Sequence, residues 1–244
     1  MNFADLQPIS NHPALFIKKE KILVIADLHI GIEKQLQEFG LNTISHTNKL
    51  KENIIYLLKK YNPKKIFLLG DIKHNIPNIT FQEKNDVSDF LGDLISFCEV
   101  NIIPGNHDGN IKKIAPNDVI IHSSKGYIYK KIGLIHGHTI PTKELMLSDY
   151  LILAHTHPSI MLEDRLGYRY FESCWLKGEI NNINLYKRSN SIKFIVLPAF
   201  NPFCGGIAIN IEGFIGPFNK IIETNECEVF LLDGSYLGKI KDLK

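Results

Sequence analysis

Five apolar runs in this 244-residue chain each end in residues that bind metal ions or move protons. Asp27-Leu28-His29 follows Ile22-Leu23-Val24-Ile25-Ala26, and Gly70-Asp71 follows Ile66-Phe67-Leu68-Leu69. Gly105-Asn106-His107-Asp108 closes the run from Val100 to Pro104. His136-Gly137-His138 closes Ile132 to Ile135, and His155-Thr156-His157 closes Tyr150 to Ala154. A short apolar run bounded by turn residues reads as a buried strand that delivers its terminal side chains to one end of a sheet. Side chains at i and i+2 of an extended segment point the same way, so Asp27 with His29, and His155 with His157, can each act as a pincer.

Hydrolysis of a phosphate ester needs an activated water and relief of charge on the phosphoryl oxygens. Two divalent ions about 3.5–4 Å apart supply both, and they require hard oxygen ligands, imidazoles and a bridging carboxylate. Asp27, His29, Asp71, Asn106, His136, His155 and His157 match that inventory, with Asp71 read as the bridge. No cysteine joins the set, which favours Mn²⁺, Fe²⁺ or Zn²⁺ over softer metals. His107 is not needed as a ligand, and an imidazole suits proton transfer near neutral pH.

Each piece has a plainer reading when taken alone. Asp71 could cap a helix or close a turn, and His155-x-His157 could be surface or cation-paired imidazoles. For His138 a hydrogen-bonded structural histidine is favoured over a group that touches substrate. Lys73 reads equally as a substrate phosphate contact or as a solvated loop lysine. Glu33 suits the first turn of a helix and is kept out of the metal set. Phe200-Asn201-Pro202 reads first as a turn, and second as a border of the cleft. Lys59-Lys60 and Lys64-Lys65 flank a helix end, where cations complement the dipole. The order of all five clusters, each after an apolar run, is what makes coincidence a poor account.

The elements that must position these residues are legible in outline. Residues 13–17 and 21–27 read as strands around the turn Lys18-Lys19-Glu20, and Gly31 to Gly40 as a loop or short helix. Leu50, Ile54, Leu57, Leu58 and Tyr61 fall at helical spacing within Ser45 to Tyr61, which Asn62-Pro63 ends. Strand 65–70, a loop through Pro77, a helix from Thr80 to Glu99 and strand 100–103 follow. This alternation indicates a largely parallel sheet with ligands at strand C-termini. From Asp118 onward short strands crowd together, at 119–122, 127–130, 132–136, 150–154, 159–162, 168–172, 192–197 and 207–211, with only Thr142 to Leu147 helical between them. The expected architecture is α/β: a four-layer α/β/β/α sandwich of two mixed sheets flanked by helices, with 1–244 as a single domain.

Composition narrows the class. Hydrophobic residues make up 44% and charged residues 22%, as in an ordinary soluble globular protein. No apolar stretch approaches the ~18 residues of a membrane span, and no basic segment with an apolar core opens the chain. Cys98, Cys174, Cys204 and Cys227 form no CxxC pair and read as reduced thiols of a cytoplasmic protein. A net charge of +2, with only three Arg (Arg165, Arg169 and Arg188), is not by itself a nucleic-acid footprint.

The series Asp27-x-His29, Gly70-Asp71, Gly105-Asn106-His107-Asp108, His136 and His155-x-His157 resembles the calcineurin-like metallophosphoesterases. The segments Asp27-Leu28-His29-Ile30-Gly31-Ile32-Glu33, Gly70-Asp71-Ile72-Lys73-His74 and Leu197-Pro198-Ala199-Phe200-Asn201-Pro202 look like archaeal phosphoesterases related to the SbcD/Mre11 nuclease subunits. The resemblance covers about residues 13–210 and departs from the usual pattern where Ala154 replaces a Gly. It implies one metal held by Asp27, His29, Asp71 and His157, and a second held by Asp71, Asn106, His136 and His155. It implies His107 over the leaving group, with Asp108 orienting His107 or shaping the turn. The expected cofactors are two divalent ions, Mn²⁺ first, with Fe²⁺, Zn²⁺ or Ni²⁺ as alternatives. The expected reaction is in-line attack of metal-bound hydroxide on a phosphodiester of DNA, RNA or a nucleotide. A phosphomonoesterase is the runner-up, and a non-catalytic scaffold the reading from another class. No membrane is expected as a partner, and an ATPase partner is possible on the resemblance but not indicated by the residues.

Overall fold

The computed structural model describes residues 5–41, 46–76, 79–181 and 191–243. The loop through Pro77, Ser45 at the start of an expected helix, and Arg188 lie outside the described residues.

Six strands form the first sheet in sequence order: β1 (Leu6–Pro8), β2 (Leu15–Ile17), β3 (Ile22–Ile25), β4 (Lys65–Leu68), β5 (Glu99–Ile102) and β6 (Ile120–Ile121). β1, β2 and β3 pair antiparallel, and β3 through β6 run parallel. The parallel strands are apolar at almost every position because both their faces are covered. After α1 (Ile32–Glu38), which meets the 3-10 turn Pro202–Cys204, come α2 (Thr47–Tyr61) and α3 (Phe81–Ile95), and these two cover one face. Leu50, Ile54, Leu57 and Leu58 of α2, with Val87, Phe90, Leu91 and Leu94 of α3, pack there on Leu23, Ile25, Ile66, Leu68, Val100 and Ile102. Asn62 ends α2 in the left-handed region (φ 43°) and donates its N–H to the Leu58 carbonyl. Thr80 caps α3 by accepting the Glu83 N–H at 3.1 Å.

The second sheet runs β13-β10-β11-β12-β9-β8-β7, from β7 (Tyr127–Tyr129), β8 (Ile132–Leu134), β9 (Tyr150–Leu153), β10 (Pro158–Glu163), β11 (Arg169–Ile180), β12 (Ile192–Val196) and β13 (Ile207–Ala208). β14 (Glu228–Leu231) adds to β11, and β15 (Tyr236–Lys239) to β14. β8, β9 and β12 are mutually parallel, whereas β7, β10, β11 and β14 pair antiparallel, so the sheet is mixed. Val24, Phe67 and Leu69 of the first sheet meet Ile132, Ile152, Trp175 and Ile195 of the second in a common core between them. The outer face of the second sheet is covered by Met146, Ile209, Phe214, Phe218 and Ile240. Its fourth layer is therefore short helical turns rather than long helices.

Three elements differ from expectation. The run 207–211 is strand only at Ile207–Ala208; Ile209–Glu212 (α4) is one helical turn, closed where the Glu212 carboxylate accepts the Ala208 N–H at 3.1 Å. The Thr142–Leu147 segment is a single 3-10 turn at Leu145–Leu147. The strand at 168–172 continues to Ile180, because Trp175 faces the inter-sheet core while Cys174 and Leu176 face the outer one. β1, β14 and β15 were not anticipated. Among the described residues no helix is long and apolar enough to cross a membrane.

Candidate metal centre

The C-terminal ends of β3, β4 and β5 in one sheet, and of β8 and β9 in the other, open at the same edge of the sandwich. Backbone bonds lace the tips together. The Asp27 N–H donates to Gly70 O (3.1 Å), the His29 N–H to Asp71 O (2.8 Å), and the Ala154 N–H to His136 O (2.9 Å). Each strand must turn sharply as it leaves the sheet. Asp27, His29, Asp71, His155 and His157 all sit in the left-handed region, with φ between 42° and 70°. A non-glycine residue there costs on the order of 1–3 kcal/mol, and such strain persists where the surroundings over-determine it. Ala154 is not among the positive-φ residues, so the absent glycine is not required at that position.

Two glycines allow the approach. A Cβ on Gly105 would lie 2.1 Å from Asp71 Oδ1, and one on Gly70 (φ 81°) would lie 2.2 Å from His136 Nδ1. Asp71 Oδ2 consequently comes within 3.3 Å of His136 Nε2 and 3.6 Å of His29 Nε2. Its other oxygen accepts the His107 N–H at 2.8 Å. Asp27 Oδ1 lies 3.3 Å from His157 Nε2 and 3.7 Å from His136 Nδ1. Asn106 Oδ1 is 3.3 Å from His136 Nε2, and the Asp27 carboxylate also accepts the His155 N–H at 3.4 Å. All seven expected ligands are therefore brought together. Asp27, His29 and Asp71 offer one group of ligand atoms lying within 4.8 Å of each other, and Asp71, His136 and His155 a second.

Electrostatics and bonding fit a cation pair. Burial works against the charge of Asp27, but His157 and His136 hold its carboxyl below the usual range. Asp71 is likewise buried, and His136 and His29 hold it well below that range. Burial opposes the charge of His136, yet Asp71 and Asp27 outweigh it and raise this imidazole to about 9. Burial dominates at His29 and His155, lowered to about 3 and about 4, so both present neutral rings of the kind that ligate metals. Asp27 Oδ1, His29 Nε2 and His157 Nε2 are buried with no hydrogen-bond partner among the described residues, although Asp27 Oδ1 and His157 Nε2 lie 3.3 Å apart as an ion pair. Buried polar atoms are normally paired, and a carboxylate oxygen and two imidazole nitrogens left in this state are donors that a divalent ion can take. The donor set of carboxylate, amide oxygen and imidazole suits divalent first-row metals.

Several residues take positions the sequence did not indicate. His74 reaches both sides of the centre: its Nδ1 is 3.1 Å from His29 Nδ1, and its carbonyl accepts a bond from His107 Nδ1. Its own Nε2 lies 2.7 Å from Gln35 Oε1. The signal was the imidazole three places after Asp71. Asn201 is buried and straps the first tip, donating to Leu28 O at 2.8 Å while its N–H reaches Asp27 O. Glu83, which heads α3, turns its carboxylate to the His74 and Asn75 N–H groups. Glu33 stays outside the cluster and accepts the His46 N–H.

Four expectations are corrected or resolved. Lys73 is neither solvated nor aimed at a substrate: it is 1% exposed, with its ammonium donating to the Asn75 carbonyl. A cysteine does approach the set, since Cys204 Sγ lies within 4.8 Å of ligand atoms of His29 and His157. Burial, with Asp27 and Asp71 nearby, pushes that thiol far up, and it donates to the Asp27 carbonyl instead of offering a thiolate. His138 makes no hydrogen bond through its Nδ1, which is buried without a partner among the described residues. Asp108 spends both oxygens on the turn, accepting the Ile72 and Lys73 N–H groups on Oδ1 and the Gly105 N–H on Oδ2; the His107 ring is held by His74 instead.

The family model described as Calcineurin-like phosphoesterase matches residues 20–196. Among solved structures the chain is similar to a nuclease, MPE, of Pseudomonas putida, at 20% identity and a TM-score of 0.58, over 95% of this chain and 100% of that one. It is also similar to Yfce, a phosphoesterase from E. coli, at 14% identity and a TM-score of 0.43, over 89% of this chain and 97% of that one.

Proposed function

The chain belongs to the calcineurin-like phosphoesterase family, and we propose that within this family of metal-dependent phosphoester hydrolases it cleaves phosphodiesters, in nucleic acid or nucleotides. The carrying observation is the placement of His107. Its ring packs 4.7 Å from His29 and 5.5 Å from His74, at the rim of the cluster. Its Nδ1 is committed to the His74 carbonyl, which leaves Nε2 to serve a reacting group. An alkoxide leaving group, as a diester releases, gains most from such a proton donor. The motif resemblance to SbcD/Mre11-related phosphoesterases and the fold shared with a nuclease support the same reading.

In this proposal Asp27, His29, Asp71 and His157 would hold one divalent ion, and Asp71, Asn106, His136 and His155 the other. Such a pair would supply an activated water and neutralise charge on the phosphoryl oxygens. His136 has its Nδ1–H on the Leu69 carbonyl at 2.9 Å, which fixes the tautomer with Nε2 toward Asp71 and Asn106. His74 plays the equivalent part for His29 from its other ring nitrogen. Asp108 holds the 105–108 turn, so that Asn106 points to His136 while His107 points to His29.

The test compares bis-p-nitrophenyl phosphate with p-nitrophenyl phosphate, using protein loaded with Mn²⁺ and, separately, Fe²⁺, Zn²⁺ and Ni²⁺. The proposal expects the diester to have the higher kcat/KM. Preference for the monoester would turn the reading to a phosphomonoesterase, and no turnover with a protein that retains no metal would turn it to a scaffold.

A further inference from the structure

A cavity of about 750 Å³ opens beside the cluster, bordered by Asn106 and His138. The His107 ring is turned the other way, to His29 and His74. The cavity thus adjoins the centre on the side away from the leaving-group histidine. Its volume is in the range of sites for small organic ligands.

The lining has the charge of an anion site. Lys112 and Lys113 are both exposed on the short helix Ile111–Lys113, and neither forms an ion pair among the described residues. Asp108 is the carboxylate in the lining, and its oxygens are turned into the backbone by the Ile72, Lys73 and Gly105 N–H groups. Ser123 and Ser124 add hydroxyls to the lining. His138 joins the cavity to the centre, its ring centroid 5.3 Å from that of His136 and 6.1 Å from that of His155. Its Nδ1 is buried and has no hydrogen-bond partner among the described residues. Two ammoniums with no ion pair among the described residues and two hydroxyls line the cavity without a competing free carboxylate, which is what a phosphate group takes.

We propose that this cavity is a second-phosphate subsite: Lys112 and Lys113 hold a phosphate of the substrate other than the one being cleaved, on the part of the ester away from His107. The inference rests on the phosphoesterase reading and narrows it to substrates with two or more phosphates. The second phosphate is either the next one along a nucleic-acid strand or one in the polyphosphate of a nucleotide.

Lys112→Ala/Lys113→Ala tests this, since both side chains are exposed and contribute little to the core. Binding is read by fluorescence anisotropy of a labelled phosphorothioate oligothymidylate, and by its competition with a non-hydrolysable nucleoside triphosphate, on the full chain loaded with Mn²⁺. The double variant is expected to bind one of these probes at least tenfold more weakly, and the probe affected identifies the source of the phosphate. For the oligonucleotide, the slope of log K against log salt should flatten by about 1.4, from two contacts at ~0.7 each. The ratio of kcat/KM for the affected substrate class to that for bis-p-nitrophenyl phosphate should fall at least tenfold. Wild-type affinity for both probes in the double variant, or an equal loss of activity on all substrates, overturns the subsite. Should the wild type bind through these lysines but hydrolyse no diester, the proposed function falls and the subsite stands.

Discussion

A single methyl group at Gly105 should separate the Asp71 carboxylate, the proposed metal bridge, from its setting. The Cβ of Gly105→Ala would stand 2.1 Å from Asp71 Oδ1, 2.6 Å from the Asp71 backbone nitrogen and 2.9 Å from Asp71 Cγ. Real Cβ contacts are not shorter than 3.0 Å, so Asp71 must retreat by about 1 Å, a misplacement that can cost ~10²-fold in rate at a reacting centre. The retreat also stretches the 2.8 Å bond from the His107 N–H to the same oxygen. Gly105 does not occupy the left-handed region, so no backbone strain confuses the result. Overpacking of this kind costs roughly 1–3 kcal/mol, or roughly 2–12 °C in Tm for a chain of this size. The assay pairs metal content by mass spectrometry and diester turnover with thermal unfolding. Gly92→Ala is the control: it lies in α3 with no atom within 4 Å of its added Cβ, and should keep activity and be at least as stable as the wild type. A folded Gly105→Ala protein with wild-type metal content and turnover would show that Asp71 is not where the chemistry depends on it.

Asp71→Asn should abolish turnover and lower metal content at both positions together, because the proposed bridge loses its charge; loss of one ion alone, read by the same mass spectrometry, would contradict a bridge. His107→Ala should reduce kcat by about 10²–10⁴ while both metals stay bound, and loss of metal there would contradict its place outside the ligand set. Metal loading should release protons. His136 is held at about 9 in the metal-free protein, so it carries a proton at pH 7 that a metal must displace. Apparent affinity should therefore rise as pH rises toward 9 and fall below it, by up to about tenfold per pH unit for one displaced proton. Calorimetric titration in buffers of different ionisation enthalpy reads this directly. Removing the metals with a chelator should lower Tm, since ions bound only to the folded state stabilise it, and an unchanged Tm would argue that the cluster holds no ion.

Much of the site was legible because its chemistry is concentrated at strand ends. A strand tip is marked locally by an apolar run that stops at Gly, Asp, Asn or His, and five such stops could be read without knowing how the strands pair. The two long helices were equally plain from the spacing of Leu50, Ile54, Leu57 and Leu58 and of Val87, Phe90, Leu91 and Leu94. The 207–211 run misled because alternating Ile residues suit a strand and a single helical turn alike. There the Glu212 carboxylate, closing back on the Ala208 N–H, decided the outcome.

From residue types and order alone came the seven candidate ligands, the leftover His107 and the alternation that makes a layered α/β fold, since these depend on periodicity and donor chemistry within short windows. Tertiary structure alone decided which atoms face each other across the two sheets. It placed Asp27 Oδ1 against His157 Nε2, 130 residues further along the chain. It buried Lys73, brought Cys204 beside His29 while keeping it a thiol, tied His74 to both His29 and His107, and left the His138 Nδ1 without a hydrogen-bond partner among the described residues. These outcomes depend on burial and on distances between segments far apart in sequence, which no local pattern encodes.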